Sequence, residues 1–107
     1  MSTAPKSQVL KMADLAAYQE GSVVSRQITK TDAGNVTLFA FDAGQELSEH
    51  TAPFDALVHI LDGQAEISIS GRAYTLSAGD AIILPAHEPH AVKATKRFKL
   101  LLTMIRA

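Results

Sequence analysis

The sequence predicts an all-β fold, a sandwich or barrel of short strands behind a short amino-terminal segment. Two observations carry this. Short runs of β-forming residues recur through most of the chain, and glycine-rich turns separate them at close intervals. A third supports it: between Ala65 and Ser70 the residues alternate, with Ala65, Ile67 and Ile69 on one face and Glu66, Ser68 and Ser70 on the other.

In chain order, Met1 to Ser7 is small and polar and is expected to be a disordered tail. Ala13 to Tyr18 fits one or two helical turns with Asp14 as N-cap, too short to stand without tertiary packing. Gly21 breaks that pattern. Val23 to Thr29 is the first strand. Thr31 to Asn35 turns the chain, because Gly34 and Asn35 tolerate positive φ. Val36 to Phe41 is rich in β-formers and makes the second strand. Asp42-Ala43-Gly44 turns again. Leu57 to Leu61 is a strand, and Asp62-Gly63 is a strong hairpin dipeptide. Ala65 to Ser70 follows, Gly71 turns it, and Ala73 to Leu76 returns. After the turn at Ala78-Gly79-Asp80 come Ala81 to Leu84, then a loop from Pro85 to Pro89, since neither proline can donate to a ladder. Ala91 to Ala94 and Phe98 to Ile105 complete the set. No internal repeat or low-complexity segment is present.

The 107 residues suffice for one domain, and 47% are hydrophobic, enough for one core. A net charge of −1 argues against nucleic-acid and membrane-surface partners. The basic run Lys93, Lys96, Arg97 and Lys99 is explained as the guard of a solvated edge strand. The absence of cysteine excludes disulfides and thiolate chemistry. Met1 to Lys6 lacks an apolar signal core and no apolar run approaches membrane-spanning length, so the expected location is cytoplasmic.

Two stretches carry the functional content. Gly44, His50, Ala52, Ala56 and Gly63 stand in one spacing; Gly79, Pro85, His87, His90 and Ala94 stand in another. Together they resemble the two motifs of the cupin family, over about Val36 to Ile105. The first motif runs Gly, His, His, Glu, Gly and the second Gly, Pro, Gly, His, Asn. The resemblance implies a double-stranded β-helix, a small jelly-roll barrel. Residues 1–20 are then an arm or short helix, and 21–107 a single barrel domain. It also implies that the motif positions converge inside the barrel, where metal-binding members place two or three histidines and a carboxylate around iron, manganese, nickel or zinc.

Here two of those four positions are Ala52 and Ala56, and a methyl group cannot coordinate. Asp55 and Glu49 neighbour motif positions and so face the other way by strand parity, unless a bulge re-aims them. Ser48 has the right parity but is a poor ligand. His59 has outward parity and is expected at an interface. His87 replaces the motif glycine in a loop expected to be exposed. The expectation is no tight metal and no cofactor; a weak divalent site, for nickel or zinc, would use His50, His90 and His87. The alternative for His50 and His90 is a neutral polar pair, hydrogen-bonded to backbone or water. His-Thr-Ala-Pro at 50–53, Asp-Ala-Leu-Val at 55–58, Pro85 to His90 and Phe98 to Ile105 are similar to a subgroup of small RmlC-like cupins with a His-x-Ala-Pro first motif. Its members are mostly uncharacterised bacterial homodimers, a small Helicobacter cupin among them.

The leading functional reading is a dimeric, metal-free small-ligand-binding protein whose pocket is lined by His50, Ala52, Ala56, His90 and Met104. The packing of Phe39, Phe41 and Met104 sets the size of that pocket. The alternatives are a metal-dependent oxygenase or isomerase using His50 and His90, and a structural or sensory dimer module; no catalytic residue is assigned. A homodimer is expected from parity. Leu57, His59 and Leu61 point outward, and both faces of Phe98 to Ile105 are apolar. A second copy is the favoured cover for that outer face; the alternative is Val9 to Tyr18 of the same chain.

Overall fold

The computed structural model describes residues 3–106. Eight antiparallel strands form it: β1 (Val23–Thr31), β2 (Gly34–Phe41), β3 (Glu46–His50), β4 (Ala56–Ile69), β5 (Arg72–Ser77), β6 (Ala81–Leu84), β7 (His90–Lys93) and β8 (Phe98–Ile105). The described residues contain no α-helix. In the sheet, β1, β2, β8, β4, β7 and β3 follow one another, while β5 and β6 also pair with β4. β4 is thus common to two curled halves. Its first part pairs with β6 and β8, and its second part with β5 and β7.

β4 departs from the sequence expectation. Asp62-Gly63 is no hairpin turn; it lies inside one strand of 14 residues. The buried positions are Ala56, Val58 and Ile60 before it and Ala65, Ile67 and Ile69 after it. The inward parity changes from even to odd, and the register against β8 shifts between Ile60 and Asp62 to allow it. Gly63 sits at the shift with φ +75, and a Cβ there would collide with the Arg97 carbonyl and the Phe98 Cα. Dipeptide preference is local, whereas the pairing of Asp62 with Lys99 and Gly63 with Phe98 is long-range and prevails.

Three other expectations change. β3 escapes the sequence reading because all five of its residues are exposed, so it carries no buried periodicity. The β1–β2 turn is Asp32-Ala33, and Asn35 already belongs to β2. Met12–Leu15 forms a single 3-10 turn, flanked by Lys11 without a side-chain cap, in place of a helix over Ala13 to Tyr18 capped by Asp14.

The core fills the barrel between the two halves. Phe41 and Phe98 stack with ring centroids 4.6 Å apart, and Val58, Ile60 and Ile67 are fully enclosed around them. A second cluster lies outside the sheet. There the amino-terminal arm lays Ala4, Leu10, Met12, Leu15, Ala16 and Tyr18 over Leu38, Ala40, Leu61 and Leu101. The tail expected to be disordered is therefore ordered where it is described: Ala4 is buried and donates its N–H to the Ile28 carbonyl at 2.9 Å. Met1 and Ser2 lie outside the described residues, as does Ala107 at the other end.

Polar contacts fasten the arm. The Tyr18 hydroxyl donates to Asp62 at 2.6 Å, and Arg97 and Lys99 lie over its ring. Lys99 also donates to the Ala13 carbonyl at 2.6 Å, and Arg97 pairs with Asp42 at 3.2 Å. Burial, and then the Asp62 carboxylate, push the Tyr18 hydroxyl well above the ordinary phenol range. Asp42 is held below the usual carboxylate range by the Gly21 N–H and by Arg97. The basic run is thus no edge guard: β8 lies between β2 and β4, and two of its cations clamp the arm.

These contacts predict unequal costs for two glycines. Gly63→Ala should lose about 2 kcal/mol or more, from positive φ and backbone collision together. Gly79→Ala has positive φ but open space around the added methyl, and should lose about 1 kcal/mol. Urea denaturation midpoints measure the difference; equal midpoints would show that the close approach at Gly63 is unimportant.

Candidate functional site

The inward rows of the sheet set where a cavity can form. At one end Phe41, Phe98 and Gly63 are neighbours and the packing is closed. At the other end the corresponding row is Asn35, Met104, Ala56 and Leu84. Alanine in that row leaves space. A cavity of about 70 Å³ lies there, walled by Phe39, Phe41, Leu47, Val58, Leu84, Val92, Leu100, Leu102 and Met104, with His50, Ala52, Ala56 and His90. All five residues assigned to a pocket from the sequence line this space. Phe39 and Phe41, expected to set its size, are in the wall too. The other wall residues were not assigned, although Leu100 and Leu102 share the face of Met104 and parity alone could have named them.

His50 ends β3 and His90 begins β7, and the two are register partners. Their Nε2 atoms are 3.1 Å apart and the rings meet edge to face, with centroids at 4.3 Å. His90 is buried, whereas His50 is exposed and marks where the cavity meets solvent. His50 Nδ1 lies 2.8 Å from the Ser48 carbonyl, which makes Nδ1 the protonated nitrogen. With both rings uncharged, His50 Nε2 is then an acceptor, and His90 donates its Nε2–H to it. His90 Nδ1 lies at a longer 3.3 Å from the Glu88 carbonyl. Burial lowers the His90 pKa from its ordinary 6.5, and the neighbouring His50 adds to this; the Glu88 carbonyl opposes it.

The remaining candidates stand apart. His87 is exposed, at φ +68, and donates its backbone N–H to the Ala52 carbonyl at 2.7 Å. The Asp55 carboxylate accepts the Ala86 N–H at 2.8 Å, and the Glu88 carboxylate accepts the Ser70 hydroxyl at 3.0 Å. Ser48 and Glu49 border a groove with Glu46 and Glu66 and do not line the cavity. His59 is half-buried and pairs in register with Leu101 on the outer face. Among the described residues no three His, Cys, Asp or Glu side chains gather as a metal site. Two imidazole nitrogens do not complete the three or four protein ligands of a closed divalent centre, so the donor set does not fit one.

On the outer face, the arm takes the Leu61 and Leu101 end that had been expected to meet a second copy. The other end stays bare. Leu57, Ile83 and Ile105 are exposed there and, with Pro53, Phe54 and Thr103, border a groove of about 540 Å³.

The Cupin domain family model matches residues 37–105. Among solved structures, a conserved protein of unknown function from Streptococcus pyogenes is 33% identical. That alignment covers 100% of this chain and 96% of the other, with a TM-score of 0.91. A cupin superfamily protein from Desulfitobacterium hafniense is 30% identical over 99% of this chain and 97% of its own, also at 0.91. An RmlC-like cupin from Shewanella frigidimarina shares the fold at 17% identity and a TM-score of 0.77, with 94% and 93% covered. The search of curated proteins found no match. No helix among the described residues is long and apolar enough to cross a membrane.

The pH dependence of stability follows from the lowered His90 pKa. Above pH 6.5 both the folded and unfolded imidazoles are uncharged and the contribution is complete. As pH falls, the unfolded ring binds a proton first, and the contribution is lost down through the lower native value. Denaturation midpoints measured from pH 7.5 to 5 should fall more steeply for the unmodified protein than for His90→Gln; parallel curves would refute the assignment.

Proposed function

Since the chain belongs to the cupin family, we propose that it is a dimeric small-ligand-binding protein that works without a tightly held metal. The observation that carries this is the cavity itself: an apolar wall whose polar side chains are two imidazoles, with Ala52 and Ala56 where the motif has coordinating residues. The methyls give room to a ligand and take coordination away from a metal. His90 supplies a donor to a polar or anionic group, His50 Nε2 an acceptor to a polar one, and the surrounding side chains hold an apolar body. Replacing both histidines with alanine should reduce ligand affinity far more than stability. His50 is exposed and contributes little packing. Thermal-shift screening of metabolites against both proteins tests this; an unchanged hit profile would contradict it.

The two-nitrogen donor set leads to a second expectation. Protein purified without a histidine tag should carry substoichiometric metal or none, with nickel or zinc only weakly retained. Elemental analysis after chelator dialysis checks it, and stoichiometric metal would favour an oxygenase or isomerase built on His50 and His90.

The bare groove at Leu57, Ile83 and Ile105 supports the dimer, because a two-fold pairing buries such a surface against itself. Leu57→Asp should give monomers or aggregates, since it would bury a charge without a partner. Light scattering at micromolar concentration measures the outcome. A stable monomer of the unmodified protein would end the dimer reading.

A further inference from the structure

We propose that the ligand is a short-chain monocarboxylate of about three to five carbons, held with its carboxylate at the histidine pair and its chain in the apolar cavity. The inference rests on the small-ligand reading and narrows it by size, polarity and charge.

Size comes from the cavity, about 70 Å³. One water-sized group needs roughly 10–15 Å³ of such space, so the cavity accepts about five to seven non-hydrogen atoms. Propionate, butyrate and valerate span that range.

Polarity comes from the wall. Phe39, Phe41, Val58, Leu102 and Met104 offer no hydroxyl, amide or charge to a ligand. A polyol would bury hydroxyls without partners there, at a cost for each. The polar groups are confined to His50 and His90, at the end where His50 reaches solvent. The ligand thus has one polar end and an apolar remainder.

Charge comes from what surrounds that end. The His90 N–H now spent on His50 is a donor that a carboxylate can accept, in a charge-assisted bond stronger than the neutral one between the rings. A primary amine finds no carboxylate there, because no Asp or Glu lines the cavity. A dicarboxylate would drive its second charge against Phe39 and Phe41.

The test is a titration of methyl-labelled protein followed by NMR, at constant ionic strength and pH, with propionate, butyrate, valerate, n-butanol, n-butylamine and succinate. Butyrate should shift the Val58, Leu102 and Met104 methyls saturably, while butylamine and succinate bind at least about tenfold more weakly. His90→Leu, which removes the donor, should weaken butyrate more than butanol, and Ala56→Leu, which fills the cavity, should weaken both. Butanol or butylamine binding as well as butyrate would overturn the carboxylate class and leave the small-ligand reading standing. If no compound moves these methyls, the carboxylate class and the small-ligand reading fall together.

Discussion

One strand serves both halves of this barrel, and the side on which it presents its apolar residues must change partway along. β4 does this between Ile60 and Ala65, where one extra residue slips the parity and Gly63 admits the Arg97 carbonyl against its backbone. Without the slip, Asp62 and Gln64 would take the inward positions, and Ala65, Ile67 and Ile69 would face solvent. The first half of the strand would then bury its side chains while the second exposed them. The core cluster that contains both Val58 and Ile67 depends on this one irregularity, and so does the empty space beside Ala56.

The outer surface obeys a different constraint. A strand between two others has two faces to cover, and β8 is apolar on both. The barrel interior takes Phe98, Leu100 and Leu102; the arm takes Leu101. Because the arm is nearly devoid of regular structure, its own hydrogen bonding cannot hold it. Tyr18, clasped between Asp62 and the cations of Arg97 and Lys99, supplies that hold at one end, and the Ala4 N–H at the other. The sheet thus has one face finished within the chain as far as Leu61, and an unfinished remainder at Leu57, Ile83 and Ile105.

The barrel and the histidine pair were legible because each rests on spacing. Glycine turns and the positions of His50 and His90 depend on local sequence distances, which a motif preserves. β3 was illegible because Glu46 to His50 buries nothing, and burial is what imprints periodicity. The bulge at Asp62 was misread because the dipeptide is equally at home in a hairpin, and only contacts with residues 35 and more positions away decide otherwise. Lys99 and Arg97 looked like solvated charges for a similar reason: their partners, Tyr18 and Ala13, lie some eighty residues earlier in the chain. The parity argument did find the outward leucines, but parity says that a face is covered without saying by what.

The arm also bears on where the protein can be divided. The family match begins at residue 37, within β2, and leaves out β1 and everything before it. A fragment cut to that boundary would keep both histidines and every residue of the cavity wall. It would also strip the cover from Leu38, Ala40 and Leu101 and leave β2 as a raw sheet edge. The stretch that the family model matches and the stretch that covers its own apolar faces are therefore different lengths of chain. Grafting this pocket elsewhere would have to carry the arm and β1 along with it.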